Sequence, residues 1–239
     1  MSVTISYKGS QIASISTNAS KTLKTGGKYC EDDIAIQNVE SAEDTLEAYM
    51  HGTLTSVSSD ISTLNGHFTL QEQDRLVSVS FPNLTVINVT NFLNHCWSLR
   101  TLNMPNLEEI TGAYGIYSTD LREITLPKLK NIANRGLAES GGVTKIDIGN
   151  STISDATFAD SAFRGHRVLK TLVLRYSAVP TLGGTYALNG TPMFTGASDA
   201  YIYVPQALIS EYQEAANWSY FYSVKPTIYQ PIEGSDYEE

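Results

Sequence analysis

The sequence predicts a mainly β fold, a solenoid with a parallel sheet wound from stacked repeats, preceded by a small β-module and closed by a C-terminal helix and aromatic cap. Two observations carry that expectation. A nine-residue block recurs three times in succession: Leu76-Val77-Ser78-Val79-Ser80-Phe81-Pro82-Asn83-Leu84, then Leu99-Arg100-Thr101-Leu102-Asn103-Met104-Pro105-Asn106-Leu107, then Leu121-Arg122-Glu123-Ile124-Thr125-Leu126-Pro127-Lys128-Leu129. Within each block the apolar fourth and sixth residues alternate with polar ones, the period-2 pattern of a half-buried strand.

The elements follow in order. Residues 1–40 lack the repeat and read as short strands, Val3 to Tyr7, Gln11 to Ile15, Lys21 to Lys24 and Ile34 to Ile36, between turns at Gly9, Asn18 and Gly26-Gly27. So small a module has little core and exposes strand edges, which fits attachment or oligomerisation. Residues 41–53 read as a linker helix, with Ser41 as N-cap and Glu43 and Asp44 in its first turn. The first coil is expected to lean on that helix, so that a chain beginning near Ser41 stays folded.

Residues 54–205 carry the repeats, whose copies start at 54, 76, 99, 121, 143, 169 and 199, in steps of 22, 23, 22, 22, 26 and 30. The proline after each strand removes a ladder donor and ends it. No single coil can bury its own apolar edge, so stability must come from stacking, and seven strands at ~4.8 Å predict one sheet on the order of 30 Å long. Residues 206–230 are assigned to the cap: a helix-like run from Pro205 to Ala216 puts Leu208, Ile209 and Tyr212 on one face, and Trp218, Tyr220, Phe221 and Tyr222 close the last coil. Residues 231–239 form an acidic tail with Glu233, Asp236, Glu238 and Glu239.

A net charge of −9 without any Lys/Arg cluster argues against nucleic acid as a partner. No apolar run is long enough to cross a bilayer, so no membrane partner is expected, and the N-terminus lacks the basic and apolar regions of a secretory signal. Cys30 and Cys96 fall in different modules and are expected to be unbridged. His51, His67, His95 and His166 are dispersed, and no metal-ligand spacing, nucleophile elbow or phosphate-binding loop occurs. The expectation is therefore no catalytic residue, no metal, no cofactor and no enzyme activity.

What remains is a surface. The outward positions of successive strands form two columns, one running Ser78, Thr101, Glu123, Lys145, Thr171, Tyr201 and the other Ser80, Asn103, Thr125, Asp147, Val173, Tyr203. The candidate binding residues among them are Thr101, Asn103, Glu123, Thr125, Lys145, Asp147, Thr171, Tyr201 and Tyr203. Such a stripe suits a glycan or a protein edge, with tyrosine supplying rigid contact area and a polar tip. An ordinary polar solvent face is the alternative.

The pattern Leu-x-x-Ile-x-Leu-Pro-x-Leu-x-x-Ile, with Ala162-Phe163-Arg164-Gly165 in one connecting segment, resembles the BspA-like leucine-rich repeats of bacteria and their phages over residues 54–220. The family's Ala-Phe-x-x-Cys back segment survives only in part, at His95-Cys96 and Ala162-Phe163. The N-terminal Ile5-Ser6-Tyr7-Lys8-Gly9 and Thr22-Leu23-Lys24-Thr25-Gly26-Gly27-Lys28 resemble a segment found on structural proteins of phages and prophages of Gram-positive bacteria. These resemblances imply a virion component, made in the host cytoplasm: a fibre, decoration or host-adhesion element. They also imply that residues 1–40 contact other virion proteins and the solenoid a host-surface glycan or protein, while the exposed strand edges of residues 1–40 lead to the expectation of a homo-oligomer such as a trimer. The rival readings are a bacterial cell-surface adhesin of the same repeat class and a tail or head part that touches only other virion proteins, with a glycan-active enzyme more distant.

Overall fold

The computed structural model describes residues 56–59, 61–64 and 69–232, and the backbone of five N-terminal strands, Ser2–Tyr7, Ser10–Ser16, Ala19–Leu23, Ile34–Val39 and Glu47–Tyr49. Leu54, Cys30 and the acidic tail from 233 onward lie outside these residues. The described chain is mainly strand, in parallel sheets, with few helices.

Each of the three clearest repeats contributes one strand to each of three rows of strands. The first row takes the predicted strands Ser78–Ser80 and Thr101–Asn103, which share a sheet, and Glu123–Leu126, which belongs to another. The second takes two-residue strands after the proline turn, Val86–Ile87, Glu109–Ile110 and Asn131–Ile132, and the third takes Leu93–Asn94, Ile116–Tyr117 and Leu137–Ala138. The alternation read in the sequence appears as burial: along Glu123–Leu126 it runs exposed, buried, exposed, buried. Leu76, Leu99, Leu121, Val143 and Leu169, the leading residue of five copies, are all fully buried. Burying each such aliphatic side chain stabilises by roughly 1.5–3 kcal/mol.

Polar residues in the turns tie coil to coil. Asn106 donates to the Pro82 carbonyl at 2.7 Å, and Asn150 donates to the Pro127 carbonyl at 2.8 Å. The fourth copy carries Gly149 where its predecessors have proline; its φ of +79° is left-handed, and a Cβ there would meet the buried Tyr176 ring at 2.4 Å. Glycine is the residue that fits both demands.

Three expectations are corrected. The strand face is not one sheet. Ser56–Ser59, Ser78–Ser80 and Thr101–Asn103 belong to one five-stranded sheet, whereas Glu123–Leu126, Lys145–Ile148, Thr171–Leu174, Tyr201–Val204 and Tyr229–Pro231 form another. The second and third sheets run past this break, pairing Glu109 with Asn131 and Ile116 with Leu137. Leu102, on the strand bordering the break, is only partly buried, where the repeat pattern predicts full burial.

The N-terminal module is not separate from the repeats at residue 40. Ser2–Tyr7 pairs antiparallel with Ser56–Ser59, matching Val3 to Ser59 and Ile5 to Val57, and Ser10–Ser16 pairs with it in turn. The first repeat strand thus has its ladder satisfied by a hairpin, where the sequence predicted support from a helix. That linker helix is also replaced in part: Glu47–Tyr49 is a strand, paired antiparallel with Ile34–Val39. A helix this short is marginal without tertiary support, whereas ladder pairing satisfies the backbone at once. The rest of 41–53 lies outside the described residues.

At the other end, Gln206–Leu208 is a 3-10 turn leading into α1 (Ile209–Glu214), and the aromatic segment is itself a helix, α2 (Trp218–Val224). Trp218 and Phe221 are fully buried, while Tyr220 and Tyr222 are half-buried. Trp218 donates through Nε1 to the Pro180 carbonyl at 2.7 Å, and Tyr229 donates to the Trp218 carbonyl at 2.6 Å. The strand Tyr229–Pro231, absent from the sequence reading, lies at the edge of its sheet, where a proline is tolerated.

Candidate functional site

The structure brings together part of the predicted column. Glu123, Lys145, Thr171 and Tyr201 follow one another in register, as do Thr125, Asp147, Val173 and Tyr203. Thr101 and Asn103 lie across the break, paired instead with Ser78 and Ser80. Thr101, Asn103, Glu123 and Thr125 are exposed, and Lys145, Thr171, Tyr201 and Tyr203 are half-buried.

Asp147 is buried, contrary to its place in an outward column. Arg175 grips it with two bonds of 2.7 and 3.0 Å, and Lys145 stands 3.5 Å away. Charge-assisted bidentate pairing explains why a carboxylate can be covered there, and it leaves Asp147 little capacity for a ligand. Tyr201 is similarly engaged: the Lys225 ammonium lies 3.5 Å from its ring centre while donating to the carbonyls of Ala197, Ser198 and Ala200. Burial lowers the Lys225 pKa below the ordinary lysine value. Asp147 and Tyr201 are thus engaged by their own neighbours.

The second sheet carries a groove of about 470 Å³ lined by Ile110, Ile132 and Phe158 and rimmed by the small residues Thr111, Ala133 and Gly183. Its polar flank is closed on itself, Asn131 donating to Glu109 at 3.1 Å and Thr157 to Asn131 at 2.8 Å.

The third sheet is different. Its strands are bracketed in successive coils by left-handed residues, Asn91 and His95, Tyr114 and Ser118, Arg135 and Glu139, with φ between 54° and 63°. Bulky residues rarely adopt that conformation; here the pairing of His95 N with Tyr117 O at 3.1 Å and Ser118 N with Ala138 O at 3.1 Å holds it. These corners carry a continuous row of rings. Trp97 and His95 lie 5.3 Å apart, His95 and Tyr117 6.1 Å, and Tyr117 and Tyr114 4.9 Å. Arg135 donates to the Tyr114 hydroxyl at 3.1 Å, its guanidinium 5.6 Å from that ring. Beyond it lies a hollow of about 390 Å³ lined by Ala113, Tyr114, Asn134, Arg135 and Ser161. Desolvation, then the nearby Glu139 carboxylate, pushes the Tyr117 phenol above its ordinary pKa, so it stays a neutral donor.

Sequence reasoning placed Trp97 in the back segment of its coil without seeing this row. Its only signal was that aromatic residues recur in consecutive back segments, at His95 and Trp97 and then at Tyr114 and Tyr117. Cys96, between the two first rings, is fully buried and unbridged, its thiol donating to the Leu70 carbonyl at 3.0 Å, and burial pushes its pKa up to about 12. That thiol is no nucleophile. Among the described residues no three His, Cys, Asp or Glu side chains gather as a metal site, and no helix is long and apolar enough to cross a membrane. Comparison with protein families, curated proteins and solved structures returns no match.

Proposed function

We propose that this chain is a phage or prophage virion component, a leucine-rich-repeat solenoid closed by its C-terminal helices and displayed outward as a fibre, decoration or host-adhesion element. The observation that carries the reading is the register: equivalent residues of successive repeats pair in three parallel sheets, as at Ile87, Ile110 and Ile132. Such stacking makes a rigid scaffold whose outward positions repeat at strand spacing, suited to presenting contacts rather than enclosing a reaction. The burial of Trp218, Phe221, Tyr212 and Leu208 near the C-terminal end supports their reading as a terminal cap.

Attachment to other virion proteins, and assembly as a homo-oligomer such as a trimer, fall to the N-terminal region. Ser10–Ser16 is the outermost strand of its sheet, and Ala19–Leu23, Ile34–Val39 and Glu47–Tyr49 form a sheet of their own. A free strand edge is a ready template for pairing with another chain. Density-gradient purification of particles from the producing host, followed by mass spectrometry, tests the reading. The chain is expected in fixed ratio to the major particle proteins; its confinement to the soluble fraction would overturn the assignment.

A further inference from the structure

We propose that the ledge formed by Trp97, His95, Tyr117, Tyr114 and Arg135, ending in the hollow beside Asn134 and Ser161, binds a carboxylate-bearing oligosaccharide. The proposal rests on the reading of the chain as a display scaffold and names the surface that does the binding. Trp97 is 58% exposed, yet its indole is not loose, because Nε1 donates to the Ser118 hydroxyl at 3.3 Å. A large apolar ring fixed in water loses little entropy on binding and gains by being covered. Three further rings follow it at centroid separations of 5.3, 6.1 and 4.9 Å with successive planes turned by 34°, 61° and 83°, so that they form a rim of faces and edges rather than one flat platform. A pyranose has an apolar C–H face to lay on such rings and hydroxyls to meet side chains at its rim.

The far end supplies the polar half. Arg135 uses one nitrogen on the Tyr114 hydroxyl and, among the described residues, has no carboxylate within ion-pair distance, whereas Arg100 and Arg164 are paired with Asp120 and Glu139. Arg135 also lines the hollow, together with an amide, Asn134, and a hydroxyl, Ser161. A guanidinium fork with free donors matches a carboxylate bidentately. The chain's net charge of −9 disfavours a polyphosphate approaching the whole surface, and a single cation at the end of an aromatic row suits a sugar chain that carries isolated carboxylates.

The test uses the full chain titrated with sialyllactose, tetragalacturonate and a hyaluronan tetrasaccharide, with lactose and maltotetraose as neutral probes. Trp97 and Trp218 are the two tryptophans, and Trp218 is fully buried, so acrylamide quenching reports on Trp97. At least one acidic probe is expected to bind saturably and shield the indole. Trp97→Ala and Arg135→Met should each weaken binding by ~10-fold or more, with melting transitions matching the parent, and Arg135→Lys should recover part of the loss. The proposal is overturned if no acidic probe protects Trp97, or if neutral probes bind as well and Arg135→Met changes nothing. Loss of binding in a Tyr201→Ala/Tyr203→Ala variant but not in Trp97→Ala would also overturn it, moving the site to the strand face while leaving the display reading intact. Absence of the chain from particles bears on that reading alone.

Discussion

Ile124 and Leu102 hold equivalent slots in consecutive repeats but sit in different surroundings, and their substitution should separate accordingly. Ile124 is 1% exposed, inside a strand paired with Lys145–Ile148. An aspartate there is an unpaired charge in a closed core, costing on the order of 4 kcal/mol. Leu102 borders the break in the face, where water can reach the new carboxylate, and Leu102→Asp should cost roughly half as much. Chemical denaturation of both variants checks the order; equal losses would mean the face is one continuous sheet. His166 gives a second test. It is fully buried, with its ring nitrogens 3.1 Å from the Ser140 and Leu137 carbonyls, and desolvation lowers its pKa despite those carbonyls and the Glu139 carboxylate. The unfolded chain therefore takes up a proton before the folded one does. Stability conferred by the neutral ring is complete above the ordinary imidazole value of about 6.5 and is lost as pH falls from there through the lowered folded value. Urea unfolding on either side of that pH should show the decline, and a His166→Gln variant should show less of it.

At the scale of elements, the N-terminal hairpin matters most. With Ser2–Tyr7 pairing Ser56–Ser59, a chain truncated to begin at Ser41 uncovers the ladder edge of the first repeat strand. Such a chain should melt earlier or self-associate, measured by light scattering and circular dichroism; an unchanged melt would restore the separable module that the sequence suggests. This pairing was illegible because it joins strands some fifty residues apart, whose local patterns say only that each is a strand. The first-sheet strands were legible, since alternation around Val79 and Ile124 states which side faces in, and the two-residue strands of the other sheets were not, being too short to show any period. The same limit hid the aromatic ledge: His95, Trp97, Tyr114 and Tyr117 meet because left-handed corners stack, a backbone property that their residue types disfavour. Asp147 was misjudged for a related reason, as its partner Arg175 comes from the next coil.

For the molecule as a whole, the proposed solenoid makes the parts interdependent, since no single coil can bury its own apolar edge. Alkylation should reflect this. Cys96 is buried and its thiol is held far from the thiolate, so native protein should leave it unmodified, while protein in denaturant should take label on both Cys30 and Cys96; mass spectrometry distinguishes the two, and rapid native labelling of Cys96 would indicate an open array. The central claim is that the repeats are carried on a virion with their surface outward. Immunogold labelling of intact purified particles, with antibody raised against residues 54–232, tests it most directly. The account predicts gold on the particle exterior at a repeated location; particles that contain the chain by mass yet bind no gold, or that lack it altogether, would contradict it.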